Sequence, residues 1–146
     1  MGGKPSRLLE IIRGPQADLL LFTGLSPTRD TIRALQKLEE SVGPLTAYVR
    51  ARYVFPSQAY ASEAEMSEGD PRAIVDGQEK LHAAFGITGV EVVYLRPDGY
   101  IGLRSGSLDA QSLSEYLRLI YASHLEWRHV NFLCRPATLT GCDVRF

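Results

Sequence analysis

The sequence predicts an α/β domain: a central mixed sheet with helices on both faces. Three observations carry this. An apolar run over 18–23 leads at once into an amphipathic helix, residues 45–55 alternate with a period of two, and a strand–turn–strand unit over 90–104 lies between two further helices. A strand returning through a helix to a parallel neighbour requires a right-handed crossover, and a hairpin reached later can extend the same sheet.

A chain of 146 residues fits one domain with a sizeable core. Its 45% hydrophobic and 23% charged content is ordinary for a soluble globular protein. Sixteen basic and seventeen acidic side chains give a formal charge of −1, so no overall field favours nucleic acid or an anionic membrane as partner. No apolar run is long enough to span a bilayer and the N-terminus lacks a signal-peptide core, so the expected location is cytoplasmic. The expected organisation is an N-terminal extension over 1–17, one domain over 18–121 and an irregular tail over 122–146, with a possible cloning junction at Leu125-Glu126.

Residues 1–7 read as a mobile entry segment, and Leu8, Leu9, Ile11 and Ile12 fit either a helical turn or an accessory strand. After Gly14-Pro15, the near-continuous apolar run Asp18 to Thr23 suits a strand buried on both faces. Ser26 is the expected N-cap of the next helix, with Pro27 at its first position, and Ile32, Leu35, Leu38 and Val42 share one face. Gly43-Pro44 ends it. In the alternating segment 45–55, Arg50 and Arg52 fall on one face, either paired with local carboxylates or, together with 56–70, forming a small-molecule surface.

Residues 56–70 lack a sustained period and read as a long surface loop. Asp76-Gly77-Gln78-Glu79 fits a capping box in which Asp76 accepts from the first turn and Glu79 reaches back. Leu81, Ala84 and Phe85 make the apolar face of a short helix that Gly86 ends, and its His82 reads as structural because no second ligand lies at metal spacing. Arg96-Pro97-Asp98-Gly99 is turn chemistry between strands near 90–95 and 100–104. Arg96 and Arg104 bracket that hairpin and are expected near one end of the ladder, with Asp98, Asp76 or Glu79 as partners. Leu113, Tyr116, Leu117 and Ile120 form the stripe of a last helix whose period stops near Tyr121. Cys134 and Cys142, separated by seven residues, have neither zinc-ligand spacing nor a disulfide framework and read as incidental thiols.

This element order matches the thioredoxin-like layout. A working thioredoxin carries its reactive CxxC just after the first core strand, where the helix N-terminus stabilises a thiolate. Here the place reads Gly24-Leu25-Ser26-Pro27-Thr28 and holds no cysteine, so neither disulfide reductase nor peroxidase activity is expected of the protein.

Arg96-Pro97-Asp98-Gly99-Tyr100-Ile101-Gly102 followed by Arg104, and preceded by Asp76, His82 and Phe85-Gly86, resembles the C-terminal thioredoxin-like domain of FAD-dependent aromatic-ring monooxygenases of the phenol hydroxylase type. The likeness covers roughly 18–121. It implies a non-redox module acting in packing or subunit contacts, with a flavoprotein domain or a second copy as partner. FAD would belong to an absent flavoprotein domain, since the chain has no GxGxxG after a strand. The resemblance therefore transfers no catalytic, cofactor-binding or metal residue. Arg50, Arg52, Asp76, His82, Arg96, Asp98 and Arg104 are the structural or interaction candidates, and a free-standing small-molecule binding domain is the alternative.

Overall fold

The computed structural model describes residues 14–106 and 109–133, with side chains as far as residue 122. The chain divides near Ala110 into two units. The first holds five strands, β1 (Ala17–Phe22), β2 (Val49–Phe55), β3 (Ala73–Val75), β4 (Glu91–Leu95) and β5 (Ile101–Ser105), in the spatial order β3-β2-β1-β4-β5. Strands β1, β2 and β3 run parallel, whereas β4 is antiparallel to β1 and β5 to β4. Helices α1 (Arg29–Ser41), α2 (Gln58–Glu63) and α3 (Lys80–Phe85) belong to the same unit. The described part of the second unit is helix α4 (Ala110–Leu133).

The predicted mixed sheet is observed, including the parallel register from Ala17 opposite Val49 to Phe22 opposite Val54. All six residues of β1 are buried because it lies between two strands and under both layers. On one face Leu20 and Phe22 join Val54, Ile74, Val93 and Leu95, with Leu81 and Phe85 of α3 packed against them. The opposite face carries Tyr53, whose hydroxyl donates to Glu39 of α1, so α1 and α3 cover opposite faces.

Several local expectations are corrected. Thr28, not Ser26, caps α1, its side-chain oxygen accepting from Thr31 N at 3.2 Å. Ser26 and Pro27 lie outside the helix, and a residue before proline is pushed towards extended backbone. The second strand starts at Val49, since Gly43–Leu45 form a short 3₁₀ turn opened by Pro44. The 56–70 stretch contains α2, built from the good helix formers Gln58, Ala59 and Ala61, and edge strand β3 follows it; neither was expected. Gly86 does end α3, at φ +67°.

In α4, Leu113, Leu117 and Tyr121 are buried, whereas Ile120 is exposed. The helix runs on to Leu133, through the start of the segment expected to be irregular. Loss of amphipathic period does not end a helix by itself, and the first proline after it is Pro136. The expectations for residues 1–13 and for Cys134 and Cys142 lie outside the described residues.

Candidate functional site

The three parallel strands finish at one edge of the sheet, the place where open α/β sheets gather ligand-binding loops. Buried Thr23 follows β1, and its hydroxyl donates to Val54 O at 3.1 Å. Gly24 comes next at φ +81°, and a Cβ there would sit 2.9 Å from the carbonyl carbon of Gly89. Glycine is what lets the β1–α1 loop lie against the loop after α3. Leu25 N donates to Thr88 O at 3.1 Å and joins the two.

Asp76 lies directly after β3, with its N–H donating to Phe55 O at 2.8 Å. Its Oδ2 accepts three hydrogen bonds of 2.9 Å, from Leu81 N, His82 N and His82 Nδ1. The half of the capping box that concerns Asp76 is therefore observed. Glu79 does not reach back: it stands at the N-cap in a left-handed conformation, φ +54°, with no side-chain cap bond. Burial by itself would raise the Asp76 carboxyl, but the bonds from His82 N, the His82 ring and Leu81 N outweigh it and hold the group below its usual range.

With Nδ1–H committed to Asp76, the His82 lone pair is on Nε2. Nε2 is buried and has no hydrogen-bond partner among the described residues. The Phe22 ring and the imidazole meet in a T-shape at a centroid distance of 5.2 Å, and the Phe85 ring lies 5.4 Å from Phe22. A carboxylate-oriented imidazole is an acid–base pair by chemistry, but with His82 only 1% exposed it is shut away from bulk solvent.

At the same edge Glu91, opposite Phe22, accepts from Arg104 Nε and, at 3.3 Å, from Arg104 Nη2. Arg104 lies opposite Val93. Arg96 is in the turn at the other end, where its Nη2 is 2.6 Å from Asp98 Oδ2. The expectation that the two arginines share one end and one set of carboxylates is corrected: Asp98 pairs with Arg96, and Glu91, not Asp76 or Glu79, pairs with Arg104. The Arg96–Asp98 pair is exposed, so Arg96→Ala is expected to leave the calorimetric melting temperature unchanged. Arg104→Ala, which strips the partner from a Glu91 side chain only 18% exposed, is expected to lower it slightly.

Arg50 and Arg52 do share a face, and what holds them is Asp18 of β1. Arg50 Nη2 reaches Asp18 Oδ2 and Arg52 Nε reaches Asp18 Oδ1, both at 3.0 Å, and Arg52 Nη1 donates to Pro71 O at 3.2 Å. Pairing with a local carboxylate, one of the two readings of these arginines, is thus the arrangement the structure holds. Asp18 and Glu91 are the partners that sequence reasoning missed. Asp18 had a signal, since a charge inside a strand buried on both faces requires opposite charges on the adjoining strand.

Among the described residues no cluster of three or more His, Cys, Asp or Glu side chains could hold a metal ion, and no helix is long and apolar enough to cross a membrane.

No protein-family model and no curated protein matches the chain. Solved structures do. StoA from Bacillus subtilis superposes with a TM-score of 0.54 at 15% identity, over 72% of this chain and 84% of that one. The bacterioferritin comigratory protein of Xanthomonas campestris, described for its alkyl peroxide reduction activity, gives 0.54 at 11% identity, over 75% and 80%. Plasmodium yoelii thioredoxin peroxidase I gives 0.52 at 17% identity, over 94% and 86%. The fold is thioredoxin-like. These neighbours include peroxide-reducing proteins, which overturns the expectation of a non-redox packing module. They lend no specific support to the flavin monooxygenase resemblance, and at these identities the likeness is one of fold.

Proposed function

We propose that this chain is a thiol-dependent redox protein of the thioredoxin fold, with Cys134 and Cys142 as its reactive sulfurs and a hydroperoxide as the substrate class. The observation that carries the reading is the likeness of its fold to peroxide-reducing proteins. Cys134 and Cys142 are the two cysteines of the given sequence, and the loop at 24–28 has none. One thiolate attacks the peroxide, an S–O bond forms as the O–O bond breaks, and the alkoxide leaves and is protonated to the alcohol. The second thiol condenses with the sulfenic acid, releasing water and forming the disulfide. The peroxide gains two electrons, the thiol pair loses two, and an external dithiol restores it. This chemistry calls for no cofactor in the chain.

One equivalent of cumene hydroperoxide added to reduced protein is expected to consume both thiols and yield one equivalent of the alcohol. The double variant Cys134→Ser, Cys142→Ser is expected to yield none. Two thiols still titratable after the addition, with alcohol formed no faster than by the double variant, would refute the reading.

A finer kinship, with the C-terminal domain of flavin-dependent aromatic-ring monooxygenases, is supported by Arg96 to Gly102 with Arg104 and by the exposure of Tyr100, at 70%, on that hairpin. It implies a flavoprotein or a second copy of the chain as partner. A flavin absorbance band in co-purified material, or a dimer mass by light scattering, separates the two.

A further inference from the structure

We propose that the Asp76–His82 pair is a proton-released latch that holds α3 on the sheet and, through α3, seats the loop at 86–89 against the β1–α1 loop. Helix α3 has six residues, too few to persist without tertiary support. Its N-terminus is entered through Glu79 at φ +54°, an unfavourable conformation for a residue with a Cβ, and Glu79 supplies no side-chain cap. What satisfies the N–H groups of Leu81 and His82 is one oxygen, Asp76 Oδ2, which also takes the ring Nδ1–H.

Proton uptake at Asp76 loosens this arrangement. It removes the charge that three donors share. Asp76 is the charged group facing the ring from the loop before α3. On α3 itself Lys80 is exposed, as is Glu79 before it; β1 presents Phe22 to the ring, the same face of the sheet carries the apolar Leu20 and Val93, and Glu91 is tied to Arg104. The folded Asp76 carboxyl lies below its usual value, so its contribution is present above the unfolded carboxylate value, about 4, and is lost as pH falls through the folded one. The consequence reaches the candidate site because Ile87 N donates to His82 O and Leu25 N to Thr88 O, so a released α3 unseats the loop at 86–89 from the β1–α1 loop.

Amide hydrogen exchange on the full chain from pH 7.5 to 2, corrected for intrinsic rates, tests this. Protection at Leu81, His82 and Ala83 is expected to hold from pH 7.5 to about 4 and then to fall several-fold relative to Leu20 and Val93 as pH drops further. In Asp76→Asn that relative protection is expected to be low already at pH 7.5. Glu79→Gly, which relieves the left-handed strain and keeps the pair, is expected to raise protection of α3 at every pH while preserving its pH dependence. A constant ratio of α3 to core protection in the unmodified chain overturns the proposal even if Asp76→Asn does not fold, and so does loss of the pH dependence in Glu79→Gly.

Discussion

Replacing Arg50 and Arg52 together by alanine is expected to cost about 3–5 kcal/mol of unfolding free energy, and to cost more than Asp18→Ala. The asymmetry follows from burial. Asp18 is 2% exposed, whereas the side chains of Arg50 and Arg52 are 28% and 14% exposed. Without the arginines the carboxylate is stranded among packed strands, where its solvation cannot be replaced. Without Asp18 the two long side chains can turn their guanidinium groups to water, leaving mainly lost packing and mutual repulsion. Either single arginine variant keeps one charge-assisted bond to Asp18, so the two single losses should sum to less than the double loss. Urea unfolding of the four variants at neutral pH measures all of this. An Asp18→Ala loss equal to or larger than that of the double arginine variant would show that the carboxylate is not the group at risk.

The Asp18 cluster also shows where sequence reading stops. Period and composition located β1, α1 and the β4–β5 hairpin because each buries a face whose spacing is written in its own residues. β3 escaped because three residues are too few to display a period, and its stability comes from pairing with Tyr53 to Phe55. The site divided in the same way. Asp76 and His82, six apart, were both singled out, yet their contact depends on the bend through Glu79 that brings the carboxylate under the helix start. No local rule assigns a left-handed backbone to glutamate. Glu91 with Arg104 and Asp18 with Arg50 are cross-strand contacts fixed by register, which follows from the assembled sheet and not from any single strand. Gly24 gave no warning either, since the reason for glycine there is the Gly89 backbone, brought close only by folding.

Truncating Phe22 should strike the core and the latch together. The ring is fully buried, meets His82 in a T-shape and Phe85 at a tilt, and belongs to the cluster that includes Leu20, Val54, Ile87 and Val93. Phe22→Ala is expected to destabilise by about 3–5 kcal/mol, since the packed strands on either side of β1 prevent the void from closing. Phe22→Leu should lose much less, because most of the apolar volume remains. If the ring also positions the imidazole, the Phe22→Ala and His82→Ala losses will not add, and a double-mutant cycle should return a coupling of at least about 0.5 kcal/mol. The same cycle between Phe22 and Val75, which is 42% exposed on the edge strand, should return none. Equal coupling in both cycles would mean that Phe22 acts through general core packing and that its contact with His82 carries no specific weight.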